Sequence, residues 1–574
     1  MKYTIFHTQP HQRYITIEAT LENVEQDILE IQLPSWRPGR YELGNFAKNV
    51  RKFTVLDSNG NELPFFKVTK DLWQVQTLGN RAITISYQYF AAVLDAGSTY
   101  TDESMLYVNP VNCLVYETTS MDEPCELKLD IPDNFIIACA LPSEGKTLKA
   151  QNFDELADSP LMASPTLEHY TTDVEGVTQH VWISGKHTLD AHRFVEEVAA
   201  YTREQVAVFN HFPSNGYHYL IHLMPNSFRH GVEHCHSTVI AMGPGTEFHT
   251  PEKHRDLLAI CSHELFHFWN IKRLRPAVML PYDYTKENYS TLGYVYEGIT
   301  TYYGDYMLLR SGVNNFEAYS GEFSKDLQRH FDNTGRYNYS VADSSFDTWL
   351  DGYVPGTPGR KVSIYVEGML AALIADVAIR EATNNNANMD TVLKLMYDRC
   401  FMNGAGYTEE DYRAAIEEVS GLDMEAYFRD IIWGKGNIEK LLPQTLDKLG
   451  LELVVSPIAD ELERLYGIKA VRSNGHLTVV AVAEASPADE AGVALGAFIT
   501  SINGVEYTAD IHFDEVFALN TAGITVGLHT IYADKTIQLN AGATTYFDEY
   551  HLVKQANASQ AQKDFFKAWS KQEF

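Results

Sequence analysis

The sequence is poor in cysteine and in basic residues, and it contains no long apolar run. Its six cysteines are spread over 574 residues without a C-x-x-C pair, so neither a disulfide framework nor a thiolate zinc site is expected. Its 45 basic residues face 76 acidic ones, and the formal charge of −31 argues against nucleic acid or membrane as a partner. The longest apolar run, GMLAALIADVAI, is too short to cross a bilayer, and the first residues show no signal-peptide pattern. We therefore expect a cytoplasmic protein.

Changes of period along the chain predict a multidomain α+β protein. In residues 1–175 apolar and polar residues alternate, as in YITIEATLE, which is typical of an antiparallel β-sandwich. From 176 to 444 the period moves towards 3.6, which predicts a mainly helical domain, with a small sheet at YHYLIHLMP and GVEHCHSTVIAM. Strands return in a third domain at 445–555, and 556–574 is expected to be a short helical tail.

The helical region contains the segment SHELFHFWNIKRLRP, which covers residues 262–276. His263 and His267 are four positions apart, so on an α-helix both imidazoles lie on one face and can bind one ion. Glu264 lies beside them, where its carboxylate can take a proton from water and pass it to a leaving amine. Thr250 and Pro251 predict the start of this helix. The alternative is two histidines that fall four apart by chance, so a third ligand is required.

Glu297 is the candidate for that third ligand. It lies 30 positions after His267 in YVYEGITTYY, a stretch with the apolar stripe of a second helix. A carboxylate among small and apolar residues is costly unless it is paired, and a metal ion would pair it. The alternative is an ordinary surface or capping glutamate. Granting the two histidines, we predict a metal site formed by His263, His267 and Glu297.

Further segments extend the pattern over nearly the whole chain. They are LPSWRPGRYELGNFAKNV near the start, HGVEHCHST before the metal helix, YEGITTYYGDYMLLRSG and SIYVEGMLAALIADVAIR after it, and SPADEAGV with ITSINGVE in the third domain. Together with HELFHFWNIKRLRP, they resemble the PDZ-containing glycyl aminopeptidase family of zinc metallopeptidases, within the glutamate-ligand zincins. The resemblance implies a thermolysin-like catalytic domain and a PDZ-like C-terminal β domain.

The resemblance also implies an activity, a cofactor and a substrate class. Such enzymes remove the N-terminal residue, glycine or another small or acidic residue, from peptides with a free N-terminus. It implies one zinc ion on His263, His267 and Glu297, with Glu264 as general base and acid. Glu233, with His234 beside it, would bind the substrate's free α-amine. The alternative for Glu233 is a structural carboxylate at a strand edge, and a second metal site at His234 and His236 is not favoured, because further donors do not cluster there.

Tyr365 begins an apolar helix, so its phenol is placed to donate to the oxyanion of a tetrahedral intermediate. The family often has a Tyr-Tyr pair and a lysine before the glycine, whereas this chain has Ile364-Tyr365 and Glu367-Gly368. Tyr302 and Tyr303 therefore stay as alternatives for this role.

Two other functions remain open from the sequence. An endopeptidase of the same chemistry would result if Glu233 pointed away from the metal. A non-catalytic peptide-binding scaffold is disfavoured because His263, Glu264, His267 and Glu297 are all present. The PDZ-like domain either captures a chain terminus or shapes the catalytic cleft. Residue preference, oligomeric state and native metal are left open.

Overall fold

The computed structural model describes residues 1–354, 356–473, 475–508 and 523–574. They form two compact units: the first is Met1–Tyr319, Thr334–Leu449 and Ser559–Phe574, and the second is Ser320–Asn333 and Gly450–Ala558. Part of the predicted domain at 445–555, including 509–522, lies outside the described residues. The domain boundaries stay predictions.

The first part of the chain is rich in β-strands, as predicted. Alternate residues of its long strands are buried, Ile15, Ile17 and Ala19 in one and Ile83 and Ile85 in another, because successive side chains of a strand point to opposite faces. The strands are β1 (Lys2–Phe6), β2 (Tyr14–Glu22), β3 (Ile28–Gln32), β4 (Val50–Asp57), β5 (Phe65–Lys67), β6 (Leu72–Gln76), β7 (Ala82–Phe90), β8 (Tyr100–Asp102), β9 (Met105–Val108), β10 (Tyr116–Glu117), β11 (Cys125–Asp130), β12 (Ile136–Cys139), β13 (Ser143–Glu144), β14 (Thr147–Ala150) and β15 (Leu161–Ser164).

These strands form three sheets. Their orders are β13-β14-β11-β1-β2-β7-β4, β10-β3-β6-β5 and β12-β15-β9-β8. The first sheet is mixed rather than purely antiparallel as expected, because β1 pairs with β11 in parallel. An alternating pattern is compatible with either direction of pairing, so the sequence did not reveal this pair.

The predicted small sheet is confirmed, and it has five strands. They are β16 (Glu168–Val174), β17 (Val177–Ser184), β18 (Gly216–Leu223), β19 (Phe228–Glu233) and β20 (Ser237–Gly243). Their order is β16-β17-β18-β20-β19, with β19 antiparallel to β20. Strand β19 is therefore an edge strand, and it ends at Glu233.

The predicted helical region is also confirmed. Its metal helix begins after Thr250, whose side chain accepts a hydrogen bond from the Lys253 amide, and it ends at Phe266. The helices are α1 (Pro110–Cys113), α2 (Phe153–Ala157), α3 (Ala191–Phe209), α4 (Pro251–Phe266), α5 (Thr300–Arg310), α6 (Phe316–Asp332), α7 (Val341–Phe346), α8 (Thr348–Asp351), α9 (Ile364–Ala382), α10 (Met389–Arg399), α11 (Glu409–Ser420), α12 (Glu425–Tyr427), α13 (Ile438–Lys448), α14 (Pro487–Glu490) and α15 (Gln560–Ser570). Within the described ranges, every helix is too short or too polar to cross a membrane.

The second unit is mainly β-structure around its own core, to which Ile468, Val479, Ile499 and Val526 contribute. The order β22-β23-β24-β26-β27 forms its main sheet, β25 pairs with β24, and β21 pairs with β28. These strands are β21 (Leu451–Pro457), β22 (Ile468–Ser473), β23 (His476–Val482), β24 (Phe498–Ile502), β25 (Val505–Glu506), β26 (Gly523–His529), β27 (Asp534–Asn540) and β28 (Asp548–Lys554). The PDZ-like assignment of this unit stays a prediction.

Candidate metal centre and active site

Helix α4, its C-cap residue His267 and the segment before α5 bring three ligand-type side chains together. The Nε2 atoms of His263 and His267 are 3.1 Å apart. Oε2 of Glu297 lies 3.8 Å from His263 Nε2 and 3.3 Å from His267 Nε2. Glu297 and His267 are buried, while the side chain of His263 keeps some exposure to solvent.

These separations fit a single zinc ion. Bonds of about 2.0–2.2 Å in a tetrahedral arrangement place neighbouring ligand atoms about 3.3–3.5 Å apart, close to the three observed distances. Two histidines with one carboxylate leave the fourth position for water or substrate. Burial alone would lower the pKa of His267, but Glu297 raises it to about 9. The cluster thus favours a positive charge at this place, and a metal ion would supply one.

Hydrogen bonds orient two of the candidate ligands. Nδ1 of His267 lies 2.9 Å from the Asn270 carbonyl oxygen, so Nδ1 carries the proton and Nε2 is left to bind an ion. The Tyr41 hydroxyl donates to Glu297 Oε1 over 2.7 Å. Tyr41 belongs to the β-rich part, and sequence reasoning gave it no role. Its only signal was its place in the family-like segment WRPGRY.

Glu297 lies in a π-helical turn, Tyr294–Ile299, and not in a regular α-helix as predicted. Single π turns inside helices often occur at functional sites, because the extra residue changes the direction of the side chains around it. The next residue, Gly298, lies against Gly368 of α9, and a Cβ on either glycine would overlap the backbone of the other. The Glu297 segment and the Tyr365 helix are therefore in direct backbone contact.

Glu264 and Glu233 are both buried beside the candidate ligands. Ligand atoms of Glu233, Glu264 and His267 all lie within 4.8 Å of one another. Burial raises the pKa of Glu264 to about 8, and the negative charge of Glu233 adds to this effect. A carboxyl group with a pKa near neutrality is suited to proton transfer in both directions.

Two glycines make room for these carboxylates. Gly231, two residues before Glu233 on β19, lies against Glu264 Oε1, and a Cβ at this position would overlap that oxygen. Gly39 has a φ of +81° and lies against the Glu233 carboxylate in the same way. The segment that carries Gly39 and Tyr41 thus contacts both Glu233 and Glu297.

The structure places His234 away from the ligand cluster. Its Nδ1 lies 3.0 Å from Asp158 Oδ1, which is also 2.9 Å from Lys272 Nζ, and Asp158 Oδ2 accepts from the Cys235 amide over 2.8 Å. Burial alone would raise the pKa of Asp158, but Lys272 and His234 hold it well below its usual range. A buried ion-pair network therefore holds the loop that follows Glu233. Among the described residues, His234 and His236 are in neither of the two clusters able to hold a metal ion.

The three candidate tyrosines differ in position. Tyr365 lies beside the cluster, with its ring centroid 6.4 Å from that of His263. Burial and the negative charge of Glu297 raise the pKa of its phenol well above the ordinary value, so it remains a proton donor. Tyr302 donates instead to Asp376 over 2.8 Å, and Tyr303 donates to Asp390 over 2.6 Å. Their hydroxyls are engaged elsewhere, which favours Tyr365.

Comparison with known families finds two matches in the chain. Residues 2–165 match the Peptidase M61 N-terminal domain, and residues 256–371 match the M61 glycyl aminopeptidase domain. The second range contains His263, Glu264, His267, Glu297 and Tyr365, whereas Glu233 lies outside both. No curated protein sequence gives a significant match.

The chain is also similar to solved structures, and the first of the two below agrees with these matches. An aminopeptidase N family protein from Idiomarina loihiensis is 25% identical, with 99% of each chain covered and a TM-score of 0.91. An M1 zinc metallopeptidase from Deinococcus radiodurans is 13% identical, covering 76% of this chain and 92% of its own, with a TM-score of 0.48. From the two family matches and the first of these structures, the chain is a metallo-aminopeptidase and belongs to the M61 glycyl aminopeptidase family.

Proposed function

We propose that this protein is a zinc-dependent aminopeptidase with one zinc ion, held by His263, His267 and Glu297. The observation that carries the proposal is the position of Glu233, whose carboxylate lies within 4.8 Å of Glu264 and His267 ligand atoms. A buried carboxylate so close to the metal ligands would bind a positive group next to the scissile bond. The free α-amine of a peptide is that group.

Each side chain of the site then has a separate role. A zinc ion on the three ligands would act as a Lewis acid that polarises the scissile carbonyl and makes water nucleophilic. Glu264 takes the proton of the attacking water and passes it to the leaving amine, for which its raised pKa is suited. Tyr365 donates a hydrogen bond to the oxyanion of the tetrahedral intermediate.

Glu233 sets where the peptide begins. Its carboxylate pairs with the α-amine, so that the first peptide bond lies opposite Glu264. The segment with Gly39 and Tyr41 closes the space beside that amine. Arg37, buried in the same segment, adds a positive charge within reach of Glu233. These features support a preference for glycine or another small or acidic first residue.

The test compares glycyl-, alanyl- and aspartyl-p-nitroanilide with their N-acetylated forms. We expect cleavage only of the free-amine substrates, and loss of cleavage on chelation and in Glu264→Gln. We also expect Glu264→Gln to bind zinc with the stoichiometry of the unchanged protein, because Glu264 is not a ligand in this proposal. Equal cleavage of acetylated substrates would contradict the role of Glu233 and support an endopeptidase. Zinc binding without any cleavage would support a non-catalytic scaffold.

A further inference from the structure

Strand β19 places three residues in a row along one face of a sheet edge. Because side chains alternate along a strand, Glu233, Gly231 and Arg229 point to the same side. That side faces α4, since Gly231 lies against Glu264. In the described part of the chain, β19 ends the sheet, and its outer edge has no partner strand. An extended peptide can therefore lie along β19 with its amine at Glu233.

Arg229 is the exposed member of this row. It makes no ion pair and no side-chain hydrogen bond with any residue that the structure describes. Within the described part of the chain, Arg229 is thus an exposed cation without an ion-pair partner, in a protein whose formal charge is −31.

The spacing of the row places Arg229 beside the part of the substrate that follows the scissile bond, which is the leaving side of the reaction. A strand rises about 3.3 Å per residue, so the Cα atoms of Glu233 and Arg229 are about 13 Å apart. A dipeptide is about 7 Å long when extended, which leaves room for an arginine side chain to meet its far end. The scissile bond lies between them, opposite Glu264.

We propose that Arg229 binds a carboxylate on the leaving side of the scissile bond and so determines specificity for the residue after the one removed. This inference rests on the proposed aminopeptidase function. The carboxylate is either the C-terminus of a dipeptide or the side chain of an aspartate or glutamate in the second position. Arginine suits both, because its planar guanidinium forms paired hydrogen bonds with a carboxylate.

The experiment measures kcat/KM on two matched pairs of substrates. Gly-Ala against Gly-Ala-amide tests the C-terminal carboxylate, and Gly-Asp-amide against Gly-Asn-amide tests the side chain. We expect the unchanged enzyme to favour the carboxylate member of at least one pair by about fivefold, the size typical of a partly exposed ion pair. In Arg229→Gln that preference should fall to about one, while Gly-Ala-amide changes by less than about twofold.

Two further variants make the result specific. Arg429→Gln removes an exposed arginine that pairs with Asp430, and it should keep the preference of the unchanged enzyme. Arg229→Lys keeps the charge without the paired hydrogen bonds and should give an intermediate preference.

An equal loss on all four substrates in Arg229→Gln would overturn the inference, because Arg229 would then act on the catalytic groups. Equal rates within both pairs in the unchanged enzyme would also overturn it while leaving the aminopeptidase function intact. No cleavage of any of the four would instead count against the proposed function itself, and the inference would fall with it.

Discussion

Tyr41 and Glu297 are joined by a hydrogen bond of 2.7 Å, although 256 positions separate them in the sequence. The donor comes from the β-rich part of the chain and the acceptor from the candidate metal centre. Because the Tyr41 hydroxyl takes Oε1, Glu297 is held with Oε2 turned towards the two histidines. The β-rich part thus contributes directly to the geometry of the metal centre.

Replacing Tyr41 by phenylalanine tests this contribution. Outer hydrogen-bond partners of metal ligands are typically worth about 10- to 100-fold in metal affinity or activity, and we expect a loss in that range for zinc affinity. Competition with a chromogenic chelator measures it. Tyr3→Phe is the matched control, because the buried Tyr3 hydroxyl donates to Val115 O over 2.8 Å, away from the cluster. Equal zinc affinity in Tyr41→Phe and the unchanged protein would contradict the role of Tyr41.

A second prediction concerns Gly39. Gly39→Ala should raise KM for free-amine substrates by about tenfold or more, because the new Cβ displaces the Glu233 carboxylate. Gly60→Ala is the control, since Gly60 has a φ of +83° with open space around it. Both variants carry a similar backbone cost of about 1 kcal/mol. A rise in KM of the same size in both would show that backbone strain, and not the displaced carboxylate, is responsible.

The network at Asp158 should matter for stability. Asp158→Asn leaves Lys272 buried without its partner charge, and removing one member of a buried pair costs about 3–5 kcal/mol. Urea unfolding at pH 7 measures the loss. Asp133→Asn, at an exposed ion pair with Lys146, should change stability little. Similar small effects in the two variants would mean that the buried network contributes little.

The variant Tyr365→Phe tests whether the Tyr365 hydroxyl acts in the chemical step rather than in substrate binding. We expect kcat to fall by about 100-fold with little change in KM, because an oxyanion forms only in the transition state. Tyr303→Phe removes a buried hydroxyl that donates to Asp390, and should lower stability rather than kcat. A large fall in kcat for Tyr303→Phe alone would reassign the role.

Acid should destabilise the protein through His222. Burial lowers the pKa of His222 to about 4, from an ordinary value of 6.5. As pH falls, the unfolded state therefore takes up a proton on His222 before the folded state does. The contribution of neutral His222 to the free energy of unfolding is complete above about pH 6.5 and decreases as pH falls towards about 4. Between pH 7.5 and 5.0 this one group should account for about 2 kcal/mol. Urea unfolding of the unchanged protein and of His222→Gln at both pH values tests this, and an equal loss in the two proteins would contradict it.

What the sequence predicted well was local. His263 and His267 were found because four residues on a helix return to the same face, and the structure brings both together with Glu297. The alternation in β2 and β7 likewise revealed buried strands. Such patterns need only the period of one element.

The remaining features depend on contacts between distant segments or on small shifts of backbone pairing. Gly39 and Tyr41 reach the site only after the β-rich part has folded against β19 and the turn that carries Glu297. The contact of His234 with Asp158 spans 76 positions, so its direction could not be read from HGVEHCHST. The π turn around Glu297 shifts hydrogen bonds by a single residue, which a period of 3.6 does not reveal.

The meeting of Gly298 and Gly368 has a consequence for engineering this enzyme. Because two main chains touch there, backbone atoms set the distance between the Glu297 and Tyr365 segments. No amino-acid substitution removes those atoms. Any larger residue at either position would push the segments apart. Directed evolution of new substrate preferences should therefore leave both glycines unchanged and substitute other residues around the substrate instead.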